Sequence, residues 1–427
     1  MNDLTVRIEI NGDLVPVGRI IGSDPSDACF QYFKEYCDGG GVPLSISLPL
    51  QAEAFSPRQT EAFFEGLLPE GFTRRTVAQW MHVDEGDYLS ILHGLGRECL
   101  GAVCITEEGE EIGESYDRIS ESQVRDLAAE GTAKSAEMVT KAHLSLTGAS
   151  GKVGLYYNAP NDAWYLPGGT APSTHIVKQS HIRLESIVTN EKLSLMTAAR
   201  CGLETPDCFI INTGYGEENE VLFATRRYDR LFAPGNRETD GLPRPYRLHQ
   251  EDFAQAMGIP ASEKYERSQG CYMKGMFEIL RKFSADPVSD QLKLWDMIVF
   301  HFLIGNTDAH IKNFSLLYGK DLRQIRLAPA YDIVSTSIYA QSTREMAFRI
   351  GGKLSLDELS KASFRQAAND VGLGEKMAMR HFDQIAGRFR AALHESAAEL
   401  SAAGYKKTAE IENRILKTGG IKNIENS

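Results

Sequence analysis

The stretch Leu292 to Ile304, LKLWDMIVFHFLI, is almost wholly apolar. A helix of that composition has no face left for water, so the chain must fold around it. Its longest apolar run, Trp295 to Gly305, is broken by Asp296 and His301 and is too short to span a bilayer, which takes about 20 residues. The chain has 427 residues, enough for two to four structural units around such a core. Hydrophobic residues are 42% and charged residues 24%, which excludes disordered, collagen-like and solenoid compositions. Forty-six Lys and Arg against 58 Asp and Glu leave a net charge of −12. That balance argues against gripping a nucleic-acid backbone over a wide face. It leaves room for a local basic patch, such as one from Arg380, Arg388 and Arg390.

The N-terminus has neither a basic n-region nor an apolar h-region. The seven cysteines show no CxxC spacing, which fits free thiols in a reducing cytosol. Cytoplasmic localisation is therefore expected. No HExxH or Cys/His cluster suggests zinc. Gly148-Ala-Ser-Gly151 misses the spacing of a serine nucleophile elbow.

Strand signals dominate the first half. Val6, Ile8 and Ile10 alternate with polar residues, and Asn11-Gly12 marks a type I′ hairpin. Leu44, Ile46 and Leu48 alternate again. Ser56-Pro57-Arg58-Gln59 reads as a capped helix start, and further helices are expected over 74–81 and 88–95. An acidic stretch after residue 107 reads as a solvated linker, and Glu130 to Ala142 as a mobile segment. Strands are expected at 153–157, 164–166, 174–178, 209–212 and 221–226. A helix from about Asn190, as its cap, ends at Gly202. From Gln250 onward the pattern is mainly helical. The fold class is α+β with two lobes.

Gly305-Asn306 ends the apolar helix. Asp308 and Asn313 follow in D-x-x-x-x-N spacing, then a hairpin, then Pro329-Ala-Tyr-Asp332. Phosphoryl transfer needs a carboxylate near the incoming hydroxyl, oxygen ligands for Mg²⁺ and donors around the phosphates. Asp308 suits the first role, and Asn313 with Asp332 the second. Protein kinases use the same order of parts. The competing reading of Asp308 and Asn313 is that they cap turns. Lys178 ends a strand, where it can meet phosphates; Glu191 begins the next helix and could steady it. Thr147-Gly148-Ala149-Ser150-Gly151-Lys152 is a Gly/Ser loop able to cradle phosphates. It is not a Walker A loop, because Leu146 and Val153 stand where Gly and Ser/Thr are needed.

Together these strings resemble the HipA family of bacterial serine/threonine kinases, the toxins of toxin–antitoxin pairs. The resemblance runs through Gly66-Leu-Leu-Pro-Glu-Gly71, Ser145-Leu-Thr-Gly-Ala with Lys152, Thr174-His-Ile-Val-Lys178, Asn190-Glu191 and Arg227-Tyr-Asp-Arg230. It continues in Arg247-Leu-His-Gln-Glu-Asp252, Lys264-Tyr265-Glu266, Leu303 to Phe314 and Pro329 to Asp332. It implies a two-lobed protein-kinase-like fold: an N-terminal strand-rich module over 1–107, a strand-rich region with the phosphate loop over 108–230, and a mainly helical lobe over 231–427.

Carried over, Asp308 is the catalytic residue, and Asn313 and Asp332 hold Mg²⁺. Lys178, the loop Thr147 to Lys152, Arg226, Arg227, Tyr228, His310 and Lys312 form the ATP site. Ser145 matches an autophosphorylated serine, with Thr147 and Ser150 as alternatives. Family members often have Glu where Arg226 stands, and Gln-Glu where Ser150-Gly151 stands. The resemblance also implies a small helix-turn-helix antitoxin partner, HipB-like, that reads operator DNA. Some members phosphorylate an aminoacyl-tRNA synthetase. The alternative function is a kinase-like binding module acting mainly as co-repressor; a small-molecule kinase is a third reading.

Overall fold

Asn11 and Gly12 take φ of 52° and 96°, the left-handed pair that a type I′ turn requires. β1 (Leu4–Ile10) and β2 (Asp13–Ile21) therefore close as the expected hairpin. The computed structural model describes residues 3–110, 113–143, 145–146, 151–180, 184–267 and 270–425. With β3 (Cys29–Tyr32) and β4 (Val103–Glu107) the hairpin forms a sheet of order β3-β2-β1-β4. The short α1 (Lys34–Asp38) follows β3. α2 (Pro57–Phe64) starts at Ser56 with the expected capping box. Its Phe63 and Phe64 pack with Phe30 and Phe55 as an aromatic core. α3 (Gly71–Met81) and α4 (Tyr88–Leu95) complete the module.

Residues 44–48 depart from the expected strand. Leu44 and Leu48 are buried, but the backbone forms a single bridge, Ser45 to Leu48. Side chains take its polar groups instead. The Tyr32 hydroxyl serves Leu44 N and Leu48 O, and Glu251 accepts from Ile46 N at 3.1 Å.

The acidic stretch is structured as well. It holds β5 (Glu114–Arg118) and α5 (Glu121–Glu130), the latter with a Ser120 capping box. Gly131, at φ 62°, breaks α5 from α6 (Thr132–Ala142). α6 replaces the expected mobile segment because Ser135, Ala136, Val139 and Ala142 make a buried stripe at helical spacing. Next come β6 (Lys152–Asn158), β7 (Ala163–Gly169), β8 (His175–Gln179), β9 (Cys208–Asn212) and β10 (Val221–Arg226). The second sheet runs β5-β7-β6-β8-β10-β9.

The chain divides into two compact units that interleave in sequence. The first is Met1–Ser180, Ile211–Ala261 and Leu317–Ile325, and contains the sheets above except for Cys208–Ile210 of β9. The second is His181–Ile210, Ser262–Leu316 and Arg326–Ser427.

The second unit is built on the helix Pro287–Ile304, whose Leu294, Trp295 and 297–304 are all buried. Trp295 Nε1 donates to Ala378 O at 2.9 Å, and Phe302, Phe364 and Phe382 pack ring to ring. Gly305 ends the helix at φ 76°; a Cβ there would lie 2.1 Å from Ser337 Oγ, so glycine is needed twice over. α7 (Ile187–Cys201) begins at Ser186 rather than Asn190. Arg380, Arg388 and Arg390 lie on the helix Glu375–Ala402, but helical geometry turns Arg390 about 200° from Arg388, so the three do not make one patch. Among the described residues no helix is long and apolar enough to cross a membrane. The α+β class is as expected.

Candidate active site

In the first unit, β6 and β8 pair so that Lys152 stands directly opposite Lys178, and β10 places Phe223 opposite Lys178 on its other side. Opposed residues share a face of the sheet. Both lysines are only 8% exposed, and Lys178 Nζ lies 5.8 Å from the Phe223 ring centroid. A polyanion placed against this row would meet two ammonium groups at once. The strand lysine and the loop lysine expected from sequence are thus brought together.

Gly151 is buried beside them, while Thr147, Gly148, Ala149 and Ser150 lie outside the described residues. Ser145 has no exposure. Its N–H donates to Glu98 O at 2.8 Å and its hydroxyl to Leu67 O at 2.7 Å, inside the Gly66–Gly71 string. In this conformation its oxygen is closed to a phosphate donor.

Arg226, Arg227 and Tyr228 follow the strand as expected, but their side chains diverge. Arg226 is exposed. Arg227 is sealed in a buried ionic cluster and does not reach a ligand. It pairs with Glu98 at 3.0 Å and Asp229 at 2.7 Å, and its N–H is spent on Thr174 O. Arg230 adds a second bond to Glu98 at 2.6 Å. Burial alone would push the Asp229 carboxyl up, yet Arg227 and Arg230 hold it down at about 2. Only the Arg227 carbonyl is left for a nucleotide, because the ion cluster takes everything else. Tyr228 gives its hydroxyl to Gln250.

In the second unit, the loop after Gly305 is tied by its own polar groups. Burial keeps His301 neutral, its pKa lowered to about 4, with Asp332 opposing the shift. Its Nδ1 accepts from Asn306 Nδ2 at 3.0 Å. Asn306 Oδ1 then accepts from Asp308 N at 3.1 Å. Asn313 Nδ2 donates to Asp308 O at 3.0 Å, which turns the amide oxygen away as the end a hard cation binds. His310 and Lys312, which lie between Asp308 and Asn313 in sequence, are both buried. The Tyr331 hydroxyl bonds Lys312 O at 2.9 Å and Ser315 Oγ at 2.6 Å, fastening the Tyr331-Asp332 pair to the loop. Asp332 sits at φ 54°, a left-handed backbone that aspartate tolerates better than most residues.

Three contributors escaped sequence reasoning. Asn190, read as a cap, holds Ser335 through both its N–H and its carbonyl, at 3.1 and 3.0 Å, just beyond Asp332. The Tyr265 hydroxyl donates to Asp308 Oδ1, and its ring meets His310 edge-on at 5.2 Å. Glu266 anchors that tyrosine by accepting from Cys271 N and Arg349 N, both at 2.7 Å. Glu98 gives no local signal at all. Tyr265 lay within a string carrying the resemblance, which was its one visible mark.

Comparison with known proteins identifies the family. The model of the HipA N-terminal domain matches residues 8–106, and that of the HipA-like C-terminal domain matches 144–393. A Sinorhizobium fredii protein named "Putative kinase Y4mE" is 33% identical over 86% of this chain and 87% of its own. The serine/threonine-protein kinase toxin HipA of Shewanella oneidensis is 25% identical over 92% of this chain and 89% of its own. A solved Shewanella oneidensis HipA, in complex with HipB and operator DNA, superposes with a TM-score of 0.80. It covers 99% of this chain and 97% of that one at 22% identity, and so speaks for the kinase-like fold. The chain belongs to the HipA family of kinases.

Proposed function

We propose that the chain is an ATP- and Mg²⁺-dependent serine/threonine protein kinase acting as the toxin of a toxin–antitoxin pair. The observation that carries the nucleotide reading is the buried Lys152–Lys178 row, whose ammonium groups suit triphosphate oxygens. Gly151 and the Thr147–Ser150 loop cover those phosphates, and the backbone of 226–228 flanks the base. Asn313 and Asp332 offer amide and carboxylate oxygens, a donor set that fits Mg²⁺. Bound there, the ion would neutralise charge on the phosphates.

Asp308 orients the acceptor hydroxyl and takes its proton. The hydroxyl oxygen attacks the γ-phosphorus, the bond to the β-phosphate oxygen breaks, and ADP leaves. His310 and Lys312 supply further donors beside Asp308. The acceptor is a protein, with an aminoacyl-tRNA synthetase as the class the family suggests, and its modification stops translation. The partner is a HipB-like helix-turn-helix antitoxin. The net charge of −12 leaves DNA reading chiefly to that partner.

Ser145 limits the activity when phosphorylated, since a phosphate adds about −1.5 to −2 charge beside the nucleotide. Its burial means that Ser145 must first leave Leu67 and Glu98. Phosphate on Ser145 in an Asp308→Gln variant expressed alone would refute self-modification.

Labelled-ATP transfer in a cell extract, with identification of the labelled protein, tests the whole reading. Transfer should vanish in Asp308→Ala and Asp332→Ala. Undiminished transfer in both would overturn the assignments, and no transfer by the wild type would leave the co-repressor reading in its place.

A further inference from the structure

Thr225 is the penultimate residue of β10, 8% exposed, and among the described residues its Oγ1 meets no hydrogen-bonding partner. Buried hydroxyls are nearly always satisfied, so this one calls for an acceptor or donor from outside the chain. Register fixes where it points. Thr225 stands opposite Ile176, as Phe223 stands opposite Lys178 and Lys178 opposite Lys152. Residues two apart on a strand return to the same face. Thr225 therefore projects from the face that carries both lysines, about 7 Å along the strand from their row. Gln179 shows which face is taken: one position from Lys178, it points the other way and donates to Ser135 of α6 at 3.2 Å. Ile176 beside Thr225 is half-buried, an apolar surface on which a flat ring can lie. Arg226 alternates to the opposite face and is exposed, so the next side chain along does not compete for the same ligand.

We propose that Thr225 is a specificity-determining residue of the nucleotide site, with Oγ1 accepting a hydrogen bond from the exocyclic 6-amino group of adenine. This rests on the ATP reading above. With the triphosphate on the lysine row, the base extends toward the end of β10, where the hydroxyl lies.

The test compares ATP with purine riboside 5′-triphosphate, which has hydrogen in place of the amino group. Dissociation constants are measured for the wild type, Thr225→Val and Thr225→Ser. Thr225→Val keeps the shape and removes the hydroxyl. It should weaken ATP about fivefold, the size of one neutral hydrogen bond, and leave the purine riboside nucleotide within about twofold. Thr225→Ser should restore ATP affinity. Equal weakening of both nucleotides would show a merely structural role and overturn the proposal, as would unchanged ATP affinity in Thr225→Val. A wild type that binds neither nucleotide would overturn the ATP reading itself, and this proposal with it.

Discussion

Glu98 and Asp308 are both carboxylates held by hydrogen bonds, yet their surroundings are opposite. Glu98 has no exposure and faces Arg227, Arg230 and Ser173. Burial alone would favour its neutral form, but the arginines keep it ionised. Asp308 is exposed on a short loop, with Tyr265 on one oxygen. In the first region charge is enclosed and cements segments far apart in sequence. In the second it is left within reach of a reactant. The difference predicts which substitutions damage the fold and which damage the chemistry.

The sharpest division comes from Asp308→Ala. Loss of a general base should lower the transfer rate by about 10²–10⁴-fold, read by labelled ATP, with the melting temperature unmoved. A large drop in melting temperature would erase the contrast with Glu98. Glu98→Ala should do the reverse. Removing one partner of a buried ion cluster strands the other, and costs about 3–5 kcal/mol of stability in urea unfolding. If Glu98→Ala is as stable as the wild type, the cluster does not cement the first unit.

A second enclosed carboxylate sharpens the comparison through pH. Burial pushes Glu251 up to about 7, against the bonds from Ser45, Tyr318 and Ile46 N that favour its charge. A raised carboxyl pKa means that the folded state binds the proton more tightly. Its stability contribution therefore grows as pH falls from about 7 toward 4.5 and is lost as pH rises again. Buried His249, lowered to about 4, works against this, losing stability as pH falls below 6.5. In Glu251→Gln that gain is absent, while the opposing effect of His249, and likewise of buried His301, remains. Between pH 7 and 5 the variant should lose about 2 kcal/mol more than the wild type. Parallel urea midpoints across that range would show that Glu251 does not titrate as described.

Lys178 tests the boundary between the two behaviours, because it is buried like Glu98 but faces the site. Lys178→Met should weaken ATP about tenfold, measured by the nucleotide-induced rise in melting temperature, and leave the unliganded melting temperature in place. Unfolding like that expected of Glu98→Ala would assign the lysine row to the scaffold instead.

Local patterns carried much of this layout. The Asn11-Gly12 hairpin, the Ser56 capping box and the Gly305 stop are set by neighbours in sequence, and all appear as read. The Lys152–Lys178 row was half legible: each lysine was visible, but their registration is a property of strand pairing. Glu98 was illegible, and Asn190 was misread as a cap, because their partners lie 129 and 145 residues away. α6 was missed because Ser135, Ala136 and Ala142 are small, so its buried stripe carries little hydropathy. Arg227 was expected to act through its backbone, and the carboxylates that enclose its side chain, Glu98 and Asp229, could not be read locally.

The smallest effect bears on the exposed side of the comparison. Tyr265→Phe keeps the ring against His310 and removes only the hydroxyl that donates to Asp308. If that bond holds the carboxylate in a productive orientation, its loss should lower kcat for the protein acceptor about three- to tenfold, the worth of one hydrogen bond to a charged group at a solvent-exposed site. KM for ATP should stay unchanged, since the variant keeps the ring contact with His310 and removes only the bond to Asp308. The opposite outcome is equally readable. A variant that turns over faster, with a lower KM for the protein acceptor, would show that the phenol competes with the acceptor hydroxyl for Asp308. The exposed carboxylate would then be guarded by Tyr265 rather than oriented by it.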